Sequence, residues 1–239
     1  MTQVSGVTPN NFTNPVIYTV TAGDASTKNY TVTVTVAALR TMNYLFRSNG
    51  LNDGWILESS EDSNQGGSLD ARSGILTLGD DASDRQYRSI LHFPTHWLPD
   101  NAVVTKAILM IKKRSLVGTD PFTTHQNIIV ADMRGSLFGG SPPFGAEALQ
   151  VSDFQAPATM DAVAMIQNNP VGDWYAVELD SSSYQVINLT GITQLRLAFQ
   201  LDDDDDQTAD YLTFYSGDTY EVSNRPRLLI TYTYSFKMR

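Results

Sequence analysis

Alternation of apolar and polar residues with a period of two is the feature of this 239-residue chain that most limits its fold. The pattern runs through residues 18–22 and, after a turn-like stretch, resumes at residues 30–36. It returns at residues 195–201 and 228–234. Because successive side chains of a strand point to opposite faces of a sheet, this period predicts half-buried strands.

Further short apolar segments are separated by Gly, Pro, Asn and Asp, and they cover residues 55–57, 75–78, 87–93, 103–112 and 128–131. No segment carries a convincing helical stripe, and residues 159–167 are the best helix candidate. Many short strands with turn residues between them are typical of all-β domains. We therefore predict an all-β, jelly-roll-like antiparallel β-sandwich, preceded by an N-terminal β-hairpin.

The composition changes near residues 38–43, from a Thr/Val-rich segment to one richer in aromatic and acidic residues. This change divides the chain into a hairpin segment, residues 1–38, and a sandwich domain, residues 39–239. The first segment is too short to bury a core of its own, and a lone hairpin is marginally stable in water. We expect it to pack on the sandwich or to pair its open edges with another chain.

The charge and the absence of cysteine exclude several classes of function. Sixteen basic against 26 acidic residues give a net charge of −10, which disfavours nucleic acid because phosphate binding needs a basic surface. A chain with no cysteine has no disulfide, thiol nucleophile or thiolate metal site. No apolar run approaches the ~20 residues of a membrane span, so we expect no membrane insertion.

A run of five aspartates directly follows the apolar segment that ends at Leu201. Calcium takes six to eight hard oxygen ligands, which loops between strands supply at flexible spacing. Adjacent like charges also repel, and a cation would relieve that repulsion. The predicted ligands of a structural calcium ion are Asp202, Asp203, Asp204, Asp206 and Asp210. The alternative is that the aspartate run is a solvated acidic turn that binds no ion. A second group of acidic residues lies at Asp80, Asp81 and Asp84.

Aromatic residues outside the strand patterns are candidates for stacking on a sugar ring. The most loop-like pair is Trp174 and Tyr175, which follows residues 170–173, and we predict it as an exposed carbohydrate-binding platform. Packing in the core or at its rim is the alternative. The other candidates are Trp55, Trp97, Tyr184 and Tyr220, of which Trp97 is expected to plug one end of the sandwich.

Catalytic motifs are missing from the sequence. There is no G-x-S-x-G elbow, H-E-x-x-H pair or phosphate loop. His92 and His96 are four residues apart, but Pro94 between them prevents the helix that would align them. We therefore predict that the protein is not an enzyme.

Two parts of the chain resemble known families. The segment from Ser5 through residues 12–22 and 30–34 resembles the last two strands of a bacterial immunoglobulin-like (cadherin-like) repeat. About residues 42–234 resemble the DNRLRE-type β-sandwich domain, which is akin to carbohydrate-binding modules. The blocks that carry this second resemblance are residues 87–93, 98–104, 188–191, 194–197, 209–212, 214–217 and 225–228.

The second resemblance implies an accessory domain of a secreted or surface-attached bacterial or archaeal protein. The function that it implies is a non-catalytic extracellular module that attaches to a polysaccharide or a cell-surface glycan. The alternative is a structural subunit of an extracellular fibre or adhesin. Its hairpin would pair strands with a second copy of the chain and so build a homo-oligomer or filament.

Overall fold

The computed structural model describes residues 11–35, 38–134, 144 and 147–236. By the density of its internal contacts the chain divides into two compact units. The first comprises Met1–Leu39 with Ser235–Arg239, and the second comprises Arg40–Tyr234.

The described part of the first unit contains the predicted hairpin, which is confirmed. Strand β1 (Val16–Thr21) pairs antiparallel with β2 (Thr27–Val32). Asp24 closes the turn between them, because its carboxylate accepts from the N–H and the hydroxyl of Ser26 at 3.0 and 2.7 Å. Ala25 adopts a positive φ of 66° in that turn.

The remaining described strands form one hydrogen-bonded sheet of 12 strands. They are β3 (Ala38–Arg47), β4 (Gly54–Glu58), β5 (Gly66–Asp70), β6 (Ile75–Asp80), β7 (Gln86–Phe93), β8 (Val103–Val117), β9 (Ile128–Arg134), β10 (Met160–Gln167), β11 (Trp174–Glu178), β12 (Thr193–Phe199), β13 (Tyr211–Tyr215) and β14 (Arg227–Phe236). Every pairing whose register is described is antiparallel.

The sheet curls into two layers that share the 15-residue strand β8. Residues 103–112 of β8 pair with β14 and β11 in one layer, and residues 113–117 pair with β13 in the other. The second layer continues through β6, β7, β12, β9 and β10. The predicted all-β, antiparallel sandwich class is confirmed.

The main core lies between the layers, and it buries the apolar side chains of both. Leu195, Leu197 and Phe199 of β12 face this core, as their alternation predicts. A second, smaller cluster lies on the outer face of the β4–β7 pair, where Phe144 and Phe154 cover Ile56 and Ile90. Both faces of this part of the sheet are therefore buried.

The predicted helix over residues 159–167 is wrong, because this segment is strand β10, which pairs with β9. The register shifts between Met160 and Ala164, and Ala162 within the shift has a positive φ of 50°. A bulge of this kind places Val163 and Ala164 both in the core. Two consecutive buried residues hide the period of two in the sequence.

Helices are short throughout the described part of the chain. The helix α1 spans Pro121–Thr124, and it is capped by Asp120, whose carboxylate accepts from Phe122 N–H at 3.0 Å. Short 3-10 helices of one or two turns occupy Thr95–Trp97, Val151–Phe154, Ser181–Val186 and Val222–Asn224. Within the ranges that the structure describes, no helix reaches the length and apolarity needed to cross a membrane.

Candidate functional site

Three connections meet at one end of the sandwich. They are the β6–β7 turn, the β8–β9 connection and the β12–β13 loop that carries the aspartate run. The pairing of β13 brings them together, since Tyr211 lies opposite Gly79 of β6 and Val117 of β8. We call the group formed there by Asp80, His125, Asp204, Asp206 and Asp210 the acidic end.

The structure brings together three of the five predicted metal ligands. Asp204, Asp206 and Asp210 each offer a carboxylate oxygen, and these oxygens lie within 4.8 Å of one another. Two oxygens on opposite sides of a calcium ion lie up to about 5 Å apart, so this set can hold a metal ion. Asp202 and Asp203 lie outside it: Asp202 lines a groove on the outer face of β7, β9 and β12, and Asp203 accepts from Asp205 N–H at 3.2 Å.

Asp80 is a member of the acidic end that the sequence did not assign to the metal site. It is the last residue of β6, and its N–H donates to the Asp210 carbonyl at 3.1 Å. In return, the Asp210 N–H donates to Asp80 Oδ1 at 3.2 Å. Asp80 and His125 are both fully buried, with His125 Nε2 3.6 Å from Asp80 Oδ1.

Negative charge is in excess at this end. Burial raises the pKa of Asp80, an effect that the neighbouring His125 opposes. Burial also raises the pKa of Asp204, and the carboxylates of Asp206 and Asp80 raise it further. The pKa of Asp203 is raised to about 6, first by burial and then by Asp202. A bound cation would reverse these shifts, because it favours the ionised carboxylates.

Two glycines permit the close packing around Asp210. Gly79 has a φ of +123°, and a Cβ there would lie 2.1 Å from the Asp210 carbonyl oxygen. Gly118 has a φ of +68°, and a Cβ there would lie 2.0 Å from Asp210 Oδ1. Only glycine fits both the backbone conformation and the space at these positions.

The predicted exposed platform of Trp174 and Tyr175 is wrong for Tyr175. Both residues begin β11, and the alternation along this strand turns Tyr175 into the core, where it is 2% exposed and stacks on Phe122 with ring centroids 5.5 Å apart. Trp174 is half-buried, and the Arg227 guanidinium lies over its ring at 4.4 Å from the centroid. A buried ring offers no face to a sugar.

A groove of about 500 Å³ opens at the start of β8 and contains an aromatic ring beside polar groups. Its lining residues are Ala102, Val103, Val104, Ser181, Ser182, Tyr184, Gln185, Ile187 and Leu189. The Tyr184 hydroxyl donates to Glu178 Oε1 at 3.1 Å, which fixes the ring. We call this surface the Tyr184 groove.

Trp97 is 66% exposed, so the expectation that it plugs one end of the sandwich is wrong. It ends the 3-10 helix that begins at Thr95, and the Thr95 hydroxyl donates to the Asn188 carbonyl at 2.6 Å. Asn188 lies between two lining residues of the Tyr184 groove, Ile187 and Leu189. The structure therefore attaches an exposed indole to the segment that forms this groove.

A family model matches the N-terminal part of the chain. The family model described as "SGBP, N-terminal" matches residues 1–34, which include the hairpin β1–β2. No curated protein matches the chain. The sandwich unit lies outside the matched residues, and its resemblance to the DNRLRE-type domain stays a prediction.

Proposed function

We propose that the protein is a non-catalytic accessory module that binds a glycan outside the cell or at the cell surface. The match of residues 1–34 to the N-terminal family of SGBP, the surface glycan-binding proteins, carries this proposal. The β-sandwich supports it by supplying a rigid scaffold whose loops and grooves are available for recognition.

The Tyr184 groove is the surface where we place the glycan. Its volume lies within the range of about 300–1,000 Å³ that is usual for small-ligand sites. An aromatic ring stacks on the C–H face of a sugar, and the hydroxyls of Ser181 and Ser182 and the amide of Gln185 match sugar hydroxyls. The exposed indole of Trp97 supplies a second stacking surface on the neighbouring segment.

Affinity electrophoresis through gels that contain different polysaccharides tests this function. We expect at least one polysaccharide to retard the intact 239-residue chain, and Trp97→Ala and Tyr184→Ala to abolish the retardation. Tyr220→Ala is the matched control, since this ring is 93% exposed and does not line the groove. If Trp174→Ala abolishes the retardation and Tyr184→Ala does not, the glycan binds at the site predicted from the sequence and not in the groove. No retardation on a broad panel would contradict glycan binding.

The ion that we place at the acidic end is calcium. The three clustered ligands are hard carboxylate oxygens on or beside a loop, which suits the variable coordination of Ca²⁺ better than the strict octahedron of Mg²⁺. A ligand that binds only the folded protein raises its melting temperature. Millimolar calcium should therefore raise the melting temperature and a chelator should lower it, and an unchanged value in both would contradict the ion.

The second candidate function is a subunit of an extracellular fibre, and the surface of the hairpin favours it. Ile17, Val20 and Tyr30 are 61%, 56% and 49% exposed on β1 and β2. Exposed apolar strands can pair with a second chain. Light scattering should then detect multimers that disappear when residues 1–38 are deleted, whereas a monomer at all concentrations would contradict this role.

A further inference from the structure

The carboxylates of Asp80 and Asp210 each bind the protein through one oxygen and leave the other buried without a donor. Asp80 Oδ1 accepts from Asp210 N–H at 3.2 Å, and Asp210 Oδ1 accepts from Thr119 N–H at 2.6 Å. Both Oδ2 atoms, and Oδ1 of Asp204, are buried without a hydrogen-bond partner among the described residues. Asp80 is 0% exposed and Asp210 is 1% exposed, so bulk water does not replace the missing donors. An ionised carboxylate with such an oxygen is strongly unfavourable unless a proton or a cation neutralises it.

Among the residues that the structure describes, basic side chains do not balance these charges. The basic partner of the group is His125, whose Nε2 lies 3.6 Å from Asp80 Oδ1 and has no hydrogen-bond partner. One imidazole cannot neutralise the carboxylates of Asp80, Asp204, Asp206 and Asp210. A divalent cation bound here would supply the missing charge and would take the unpartnered oxygens as ligands.

We infer that Asp80 is a further ligand of the calcium site, acting with Asp204, Asp206 and Asp210. The inference rests on the calcium ion proposed for the acidic end. Asp80 ends β6, Asp210 directly precedes β13, and Asp204 lies in the β12–β13 loop. One ion therefore joins the end of a central strand to the aspartate run, although 124 positions separate Asp80 from Asp204 in the sequence.

Calcium titration of the intact, chelator-treated 239-residue chain by calorimetry tests this assignment. We expect Asp80→Asn and Asp210→Asn each to weaken calcium binding by about tenfold or more, because each removes a charged ligand. Neither should lower the melting temperature of the metal-free protein, since each relieves repulsion between carboxylates. Asp205→Asn is the matched control: this exposed residue belongs to the same run but not to the cluster, and its affinity should change by less than about twofold.

The possible failures are distinguishable. If Asp210→Asn loses affinity and Asp80→Asn does not, the role of Asp80 is overturned and the calcium ion stands. If the wild-type protein takes up no calcium, the ion and the inference are both overturned, while glycan binding is unaffected.

A measurement on the wild-type protein covers the case in which Asp80→Asn does not fold. Calcium should slow amide hydrogen exchange over residues 78–86 as well as over residues 200–211. Slower exchange in the second segment alone would overturn the inference.

Discussion

The guanidinium of Arg196 donates to the carboxylate of Asp132 across the β9–β12 pair, with Nη2 2.9 Å from Oδ2. The same side chain uses Nη1 to donate to the carbonyls of Asp153, Phe154 and Ala156 at 3.1, 3.1 and 2.6 Å. Arg196 is 8% exposed. Residues 153–156 pass over the outer face of the sheet, and the buried guanidinium of Arg196 links them by hydrogen bonds to strands β9 and β12.

Replacing Arg196 should therefore destabilise the sandwich strongly. Arg196→Ala removes a donor from the half-buried carboxylate of Asp132 and from all three carbonyls. Asp132 and Phe154 keep other donors, Ala162 N–H and Arg88 Nη1, so we expect a loss of about 2–3 kcal/mol in the free energy of unfolding. Urea denaturation followed by circular dichroism measures it. Arg72→Ala, at an exposed position, is the control and should change stability by less than about 0.5 kcal/mol. A loss below about 1 kcal/mol in Arg196→Ala would show that the interactions of Arg196 are not needed.

Ionisation of the buried Asp53 carboxyl group should lower the free energy of unfolding as the pH rises. Burial raises its pKa to about 7, against the hydrogen bonds from Ser48 and Gly217. The folded state therefore holds this proton more tightly than the unfolded state, whose pKa is about 3.9. The stabilising contribution is complete below about pH 4 and is lost as the pH rises through 7, a difference of about 4 kcal/mol.

The variant Asp53→Asn removes this titration and keeps an oxygen that can accept from Gly217 N–H, a bond of 2.8 Å in the wild-type protein. We expect it to be more stable than wild type at pH 8 and to have a flatter dependence between pH 4 and 7. Thermal denaturation at a series of pH values measures both. Identical pH profiles for the two proteins would refute the shifted pKa.

Tyr175 should act as a core residue. Its ring packs against Phe122 and Phe214, with centroids 5.5 and 5.7 Å away. Tyr175→Ala should cost about 3–5 kcal/mol of stability, whereas Tyr175→Phe loses only the hydroxyl bond to Asn168 and should cost about 1 kcal/mol. Chemical denaturation measures both variants. A stable Tyr175→Ala protein that no longer binds glycan would restore the platform predicted from the sequence.

Gly79 should be irreplaceable at the acidic end. In Gly79→Ala, the new Cβ would meet the Asp210 carbonyl, and the positive φ adds strain, so we expect a loss of about 1–3 kcal/mol or more. Calcium affinity should fall as well, because Asp210 must move. Gly23→Ala is the control, since a Cβ there has no atom within 4 Å. Differential scanning calorimetry with and without calcium checks both effects, and equal melting temperatures for Gly79→Ala and wild type would contradict the close contact.

The period of two in the sequence identifies most of the strands but not what covers each face of the sheet. In β12, the apolar residues face the core as expected, yet the alternate residues Gln194 and Arg196 are also buried. Arg196 lies beneath Phe144, whose ring centroid is 4.9 Å from the guanidinium carbon. This cover comes from a distant, irregular segment with no periodic pattern, so the sequence offers no sign of it.

The acidic end is only partly visible in the sequence for a related reason. A run of aspartates marks the loop, but the conformation of that loop decides which carboxylates converge, and Asp205 within it has a positive φ of 58°. Asp80 joins the group because β6 pairs with β13, and this pairing places Asp80 beside Asp210, which follows it by 130 positions in the sequence. The feature of the sequence that could have identified Asp80 as a member of the acidic end is its position: it ends an apolar strand and directly follows a glycine, Gly79.

The two candidate sites, the Tyr184 groove and the acidic end, lie at opposite ends of the long strand β8, and this separation weakens the electrostatic interaction between them. The strand starts beside the Tyr184 groove and ends next to Gly118, in contact range of Asp210. Fifteen residues of strand cover up to about 50 Å, whereas salt at physiological ionic strength screens charges beyond about 8 Å. A cation bound at the acidic end would therefore have little direct electrostatic effect on a glycan in the groove, and would influence it chiefly by stabilising the fold of the sandwich.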